Sequence, residues 1–274
     1  MSGVVDLHTH TTVSDGALEP ETLVRRALEA GLEVLAITDH DAVDGLAAAR
    51  RAAPPGLVVL TGAELTCAVA GREAHILAYG VDPADPDFAQ ALERFRLQRE
   101  VRARGMVERL NSVGVEIEYS EVAAISGRGT VGRPHVAQAL LSRGVVGTLQ
   151  EAFTRFLGRH APAFVPKPAL DPREAFDLVR AAGGVSSLAH PGTFQRDDLI
   201  PILAGAGLDA LEVRHTEHSM AQIDHYERMA RQFDLLPTGG SDFHGTPGHR
   251  SRLGSPAVPR AWADALIART GGGG

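Results

Sequence analysis

Short apolar runs alternate with helical patterns over most of the chain. Residues 4–7, 34–38, 57–60 and 74–79 are largely apolar and predict strands, the third running towards Glu64 and the fourth following a turn at Gly71. Residues 21–30 predict a helix with Leu23, Val24, Ala27 and Leu28 on one face and Gly31 as its stop. A second helix covers 42–53 and is closed by Pro54-Pro55-Gly56, and a long charged helical stretch covers 88–113. The alternation resumes late in the chain, with helices over 172–182, 199–206 and 219–233 and strands over 184–189, 210–213 and 235–238. Repeated strand–helix units imply a parallel sheet, open or closed.

Residues 100–165 differ in texture. They combine Gly127-Arg128-Gly129 and Gly132-Arg133-Pro134-His135 with helical patterns rich in Arg, Gln and Leu. They are expected to form an inserted, mainly helical subdomain that covers the substrate, while residues 1–99 and 166–274 form the main domain.

Polar residues able to bind metal follow the strands in succession. His8-Thr9-His10 ends the first, Asp39-His40-Asp41 the second and His190-Pro191-Gly192 the fifth, while Asp242-Phe243-His244 follows the last. Glu64 lies beyond the third run, His75 within the fourth, and the sixth carries Glu212. On an extended chain, residues two apart point the same way, so His8 and His10 can serve one ion. A closed α/β barrel brings its strand ends to one face, whereas an open doubly wound sheet gathers few of them. The number of ligand-bearing strands favours the barrel.

Composition narrows the partners. A length of 274 residues suits one large α/β domain or a domain with an insertion, and 44% hydrophobic residues can fill its core. Only the tail 271–274 reads as disordered. The net charge of −7 argues against a broad nucleic-acid face, and so against long duplexes, but leaves room for a small basic pocket. The single cysteine, Cys67, excludes an internal disulfide and fits a reducing compartment. It is expected to be a buried structural thiol facing away from Glu64. No secretory signal opens the sequence and no apolar stretch can cross a bilayer, so a cytoplasmic protein without membrane contact is expected. The sequence carries no signal of oligomeric state.

The motifs Asp6-Leu7-His8-Thr9-His10, Ser14-Asp15-Gly16, Thr38-Asp39-His40-Asp41, Gly62-Ala63-Glu64, His75, Ala189-His190-Pro191-Gly192 and Ser241-Asp242-Phe243-His244-Gly245 resemble those of the PHP (polymerase and histidinol phosphatase) superfamily, in the family's order. The resemblance implies a distorted (β/α)7 barrel with two to three divalent metal ions. It implies that His8, His10, Glu64 and Asp242 hold the first ion, that Glu64 bridges to a second completed by His75 and His190, and that Asp15, His40 and His244 hold a third. Imidazoles and carboxylates without thiolate suit Mn²⁺, Fe²⁺ or Zn²⁺. Paired ions can activate water and clamp a phosphate, so the site needs no Ser or Cys nucleophile.

The inserted motif resembles that of the subgroup containing nucleoside 3′,5′-bisphosphate phosphatases and 5′–3′ exoribonucleases. By that resemblance Arg133 and His135 bind a phosphate, for which the planar guanidinium fork is suited, with Lys167 as a weaker candidate. The implied activity is hydrolysis of the 3′-phosphate of nucleoside 3′,5′-bisphosphates, and release of 5′-mononucleotides from short RNA. A histidinol phosphate phosphatase is the alternative enzyme, though histidinol phosphate lacks the second phosphate that Arg133 and His135 would meet. A non-catalytic metal-binding module is the alternative of another class, against which the complete ligand set argues. The subgroup's Arg-Tyr pair after His-Pro-Gly is replaced here by Thr193-Phe194, which bears on fine substrate preference and leaves the expected metal ligands in place. His218 is a candidate leaving-group acid, and Ser219 either lines the substrate pocket or caps the next helix. Asp39 or Asp41 could orient a ligand imidazole or cap the helix expected from Ala42. His160, His225 and His249 are expected at the surface.

Overall fold

The computed structural model describes residues 4–127, 129–167, 169–245 and 251–270. Contacts divide the chain into two units, Met1–Gln90 with Ala169–Gly274, and Ala91–Pro168. In chain order the elements are β1 (Val4–Asp6), α1 (Pro20–Glu29), β2 (Leu32–Ile37), α2 (Leu46–Ala52), β3 (Val58–Val69), β4 (Arg72–Tyr79) and α3 (Pro86–Ser112). There follow α4 (Tyr119–Ser126), α5 (Arg133–Ser142), α6 (Leu149–Ala152) and a π-helical turn, Phe153–Leu157. The first unit then resumes with α7 (Pro172–Ala181), β5 (Val185–Leu188), α8 (Pro191–Phe194), a 3₁₀ turn (Asp197–Leu199), α9 (Ile200–Gly205), β6 (Ala210–His215), α10 (Met220–Gln232), β7 (Leu236–Gly240) and α11 (Arg260–Arg269).

The seven strands lie in sequence order in one mixed sheet. β1, β2 and β3 are parallel, as are β5, β6 and β7, but β4 is antiparallel to both neighbours. The parallel sheet expected from the alternating pattern is therefore interrupted at β4. The cause is local: Ala70 and Gly71 form a two-residue turn with φ of 49° and 74°. Such a turn can only make a hairpin, because a parallel crossover needs a dozen residues or more.

The sheet nearly closes where β7 returns to β1. The Leu7 N–H donates to the Gly239 carbonyl at 3.2 Å, and beyond it the Asp242 N–H donates to His8 and the His10 N–H to Phe243, both at 2.9 Å. A side chain at Gly240 would bring its Cβ within 2.3 Å of the His8 nitrogen, so the seam depends on glycine there. Leu7, Leu60, Leu77 and Tyr79 are buried in one core cluster, and the Tyr79 hydroxyl donates to the Leu7 carbonyl at 2.9 Å. A second cluster contains Leu23, Val24 and Ala27 of α1 with Leu35 and Ile37 of β2. Three of the four residues expected on the apolar face of α1 are thus buried, while the fourth, Leu28 in its last turn, is exposed. Cys67 is buried on β3, opposite Ala74. The helix expected from Ala42 begins at Leu46, and α11 was not anticipated from the sequence pattern.

The second unit is helical and has its own core, in which Met106, Leu110, Val136, Leu140 and Leu157 are buried. Gly132 precedes α5, and its N–H donates to Nδ1 of His135 at 2.9 Å, closing the helix start. Among the described residues, no helix is long and apolar enough to cross a membrane.

Candidate metal centre

All seven strands deliver at least one chelating side chain to one end of the barrel. His8 and His10 follow β1, Asp15 lies in the loop before α1, and His40 follows β2. Glu64 lies within β3, His190 follows β5, His215 ends β6, and Asp242 and His244 follow β7. His75 comes from the opening half of β4. Because β4 runs backwards, its beginning lies beside the late part of β3, with His75 opposite Thr66. The antiparallel strand therefore supplies the ligand that a parallel strand would have carried at its far end.

Glu64 is the centre of this set. Its Oε2 lies 3.5 Å from His8 Nε2, 3.3 Å from His10 Nε2 and 3.1 Å from His40 Nδ1. Its Oε1 lies 2.7 Å from His75 Nδ1 and 3.1 Å from His190 Nε2. Asp242 Oδ1 approaches His8 Nε2 at 3.5 Å, His10 Nε2 at 3.2 Å and His244 Nδ1 at 3.5 Å. Asp15 meets His244 Nε2 at 3.3 Å and His40 Nε2 at 3.9 Å. His10, Asp15, His40 and His244 form one group able to hold an ion, and His8, His10 and Asp242 form another. His40, Glu64 and His75 form a third, and His8, Glu212 and His215 a fourth. The residues expected to bind metal are thus brought together, with Glu212 and His215 added.

These separations fit a coordination sphere. Two atoms each about 2.1 Å from one ion, at tetrahedral or octahedral angles, lie about 3.0–3.4 Å apart. His8 Nε2 and His10 Nε2 are buried and make no hydrogen bond, although carboxylate oxygens surround them. A buried polar atom without a partner is costly, and a cation shared with Glu64 and Asp242 would satisfy both nitrogens. The donor set therefore fits hard or borderline divalent ions.

The electrostatics point the same way. Burial alone would raise the Glu64 carboxyl, but the His40, His75 and His8 imidazoles hold it well below the usual carboxylate range. Burial disfavours a charged His10, yet Asp242 and Glu64 carry its pKa from 6.5 up to about 10. The folded value lies above the unfolded one, so protonated His10 stabilises the metal-free fold fully below pH 6.5, and that contribution is lost as the pH rises towards 10. Metal must displace this proton. Metal binding between pH 6.5 and 10 should therefore release protons and tighten as pH rises. Calorimetry in buffers of different ionisation enthalpy measures this, and a binding heat independent of buffer would refute it.

A carboxylate distant in sequence from both orients two of the ligands. Glu212 Oε1 accepts from His8 Nδ1 at 3.0 Å, and its Oε2 accepts from the His190 N–H at 2.6 Å. That leaves His8 Nε2 directed at Glu64, the arrangement by which a carboxylate behind a ligand histidine fixes its tautomer. Asp39 instead accepts from Thr11 N, Thr11 Oγ1 and Ser14 Oγ at 2.6–2.7 Å, tying down the loop after β1. Asp41 accepts from Thr66 N and Oγ1, and it caps no helix, since α2 starts after Gly45. Asp6 accepts from Ser241 and Gly254, joining β1 to the segments after β7; burial pushes its pKa up to about 6. His215 Nε2 lies 3.4 Å from Asp242 Oδ2, with its Nδ1 accepting from the Glu217 N–H. The sequence signal for Glu212 was only its place on the sixth predicted strand, and His215 lies two residues beyond that run. Glu212→Gln is expected to weaken metal binding about 10- to 100-fold while leaving the metal-free fold intact. Chelator competition and thermal unfolding check this, and wild-type affinity would return Glu212 to a purely structural role.

The other sequence candidates fare differently. His218 is buried beside His215, and its Nδ1 donates to the Val213 carbonyl while Nε2 accepts from the Gly192 N–H. Burial lowers its pKa. Both ring nitrogens are engaged by backbone, so this imidazole has no proton to give a leaving group. The Ser219 hydroxyl caps α10, accepting from Gln222 N in a capping box, as one of its two expected roles required. His160 is exposed, and His225 is half-buried and pairs with Asp197 at 2.9 Å. His249 lies outside the described residues. Arg133, His135 and Lys167 are half-buried members of the second unit, with Arg133 and His135 in the first turn of α5.

Known proteins place this architecture in a family. The PHP domain model matches residues 6–143. The chain is 35% identical over 251 residues to a 5′-3′ exoribonuclease of Haemophilus influenzae, covering 89% of this chain and 91% of the relative. It is 32% identical over 255 residues to a 3′,5′-nucleoside bisphosphate phosphatase of Chromobacterium violaceum, covering 90% and 89%. A solved structure from Bifidobacterium adolescentis, described as a metal-dependent phosphoesterase, superposes with a TM-score of 0.89 at 34% identity, over 97% of this chain and 96% of the other. With its histidine and carboxylate clusters at the end of a nearly closed seven-stranded barrel, the chain belongs to the PHP domain family and is a metal-dependent phosphoesterase.

Proposed function

We propose that this enzyme removes the 3′-phosphate from nucleoside 3′,5′-bisphosphates and, by breaking the same 3′-oxygen–phosphorus bond, releases 5′-mononucleotides from short RNA. Support comes from similar identity to a bisphosphate phosphatase and to an exoribonuclease. Both names describe substrates in which a ribose carries phosphorus on either side. A small phosphorylated nucleotide also suits a chain whose net charge is −7, since a long polyanion would be repelled.

The observation that carries the reading is the division of imidazoles between the two oxygens of Glu64, His8, His10 and His40 on one and His75 and His190 on the other. A carboxylate so placed suits a bridge between two ions. His8, His10 and Asp242 would complete one site, His75 and His190 the second, and Asp15, His40 and His244 a third. Two to three ions of Mn²⁺, Fe²⁺ or Zn²⁺ fit the donors. When bound, such ions supply the charge that neutralises a phosphate and makes water nucleophilic.

The chain's own residues position these groups. Glu212 orients His8 and the His190 backbone, while Asp6 and Asp39 hold the loops that carry Asp242 and His10. Arg133 and His135 are assigned to the non-reacting 5′-phosphate, with Lys167 as an additional cation. A half-buried arginine in the first turn of α5 lies where a helix dipole also favours an anion.

A substrate panel in Mn²⁺ tests the reading. Nucleoside 3′,5′-bisphosphates and short RNA should be hydrolysed with kcat/KM about 100-fold above histidinol phosphate, since a second phosphate contributes charge-assisted bonds worth roughly 3 kcal/mol. Preference for histidinol phosphate would replace the proposal with the simpler phosphatase, and no hydrolysis of any ester would replace it with a binding module.

A further inference from the structure

The turn after β5 holds His190 in a costly conformation. Its φ is 29° and ψ 58°, a left-handed geometry that non-glycine residues seldom adopt without compensation. Three contacts fix the turn. The His190 N–H donates to Glu212, the Gly192 N–H donates to His218 Nε2, and Thr193 Oγ1 lies 2.9 Å from His190 Nδ1. The same Thr193 hydroxyl oxygen lies 2.9 Å from the His190 carbonyl.

Counting protons decides what this hydroxyl does. His190 Nε2 and His75 Nδ1 both face Oε1 of Glu64, at 3.1 and 2.7 Å. If these atoms share an ion, each offers a lone pair, so the one ring proton of neutral His190 must sit on Nδ1. That N–H needs an acceptor, and Thr193 Oγ1 is in reach. The hydroxyl has a single proton of its own, and the His190 carbonyl, which can only accept, takes it. The ring proton and the hydroxyl proton then both have acceptors.

We propose that Thr193 is a positioning residue for this chain's metal centre: its hydroxyl fixes His190 with the proton on Nδ1 and so delivers Nε2 to the ion shared with Glu64. This rests on the assignment of His190 as a ligand. A hydroxyl-bearing side chain is required here for its acceptor oxygen rather than its bulk. Thr193 is exposed, so its replacement removes little packing.

The test uses the full chain with Zn²⁺ as a diamagnetic probe, comparing wild type, Thr193→Val and Thr193→Ser. In chelator competition, Thr193→Val should weaken the most sensitive zinc site about 10-fold or more, the range seen when an outer hydrogen bond to a ligand is lost. Thr193→Ser should bind like wild type. In zinc-loaded protein with ¹⁵N-labelled histidine, wild type and Thr193→Ser should show the His190 ring proton on Nδ1, protected from exchange, and Thr193→Val should lose that protection. Equal zinc affinity in all three proteins overturns the proposal. So does an equal loss in Thr193→Ser and Thr193→Val, which would make the methyl rather than the hydroxyl the important group. Histidine nitrogens of His190 that zinc leaves unshifted in wild type would overturn the ligand assignment itself, and the role of Thr193 with it.

Discussion

Glu64→Gln should lower kcat/KM for any phosphate ester about 1,000-fold or more, equivalent to roughly 4 kcal/mol of transition-state stabilisation, and should reduce bound metal. Glutamine keeps the shape of the side chain but removes the charge and turns one end into a hydrogen donor. Glu64 is 1% exposed, and five imidazoles point at its two oxygens. Each imidazole can be a neutral ligand only if a cation is present, and the cation needs the carboxylate to offset its charge. Removing that charge leaves buried nitrogens that either gain protons or stay unsatisfied. Metal analysis of the purified variant, together with steady-state kinetics, measures both effects. Full metal content with activity within tenfold of wild type would show that Glu64 is not the bridge.

Arg133→Ala should cost about 2–3 kcal/mol, or about 30- to 150-fold in kcat/KM, for a nucleoside 3′,5′-bisphosphate. It should cost little for a nucleoside 3′-monophosphate, which has no 5′-phosphate to hold. Binding energy from a remote group can position the reacting one, so the loss should extend to kcat. Arg133→Lys should recover only part of it, because an ammonium cannot reproduce the guanidinium fork. Kinetics of both substrates in the three proteins separate the outcomes. An equal loss on the two substrates would assign Arg133 to the reacting phosphate or to the fold. No loss on either would leave it a solvated arginine at the start of α5.

The sequence by itself determined which residues could be ligands. His8 and His10 stand two apart at the end of an apolar run, and His40, His190 and the Asp242–His244 motif follow other such runs. Strand period and strand ends are local properties, so they can be read without knowing the pairing. The same locality made the burial of Leu23, Val24 and Ala27 on α1 and the capping of α10 by Ser219 legible. The direction of β4 was also encoded locally, in the Ala70-Gly71 turn, but the alternating pattern around it masked the signal.

Tertiary structure alone decided which polar group serves which ligand. Asp39 and Asp41 flank His40 in sequence, yet their hydrogen bonds secure Thr11, Ser14 and Thr66. The carboxylate behind His8 is Glu212, 204 positions away, and Asp6 meets Ser241 across 235. His218 has the chemistry for proton transfer, but the Val213 carbonyl and the Gly192 N–H occupy its two nitrogens. Strand register and barrel closure bring such partners together, and neither leaves a periodic trace in the chain. A buried carboxylate takes whichever donors the closed sheet presents to it, because leaving them unmet costs more than any local preference.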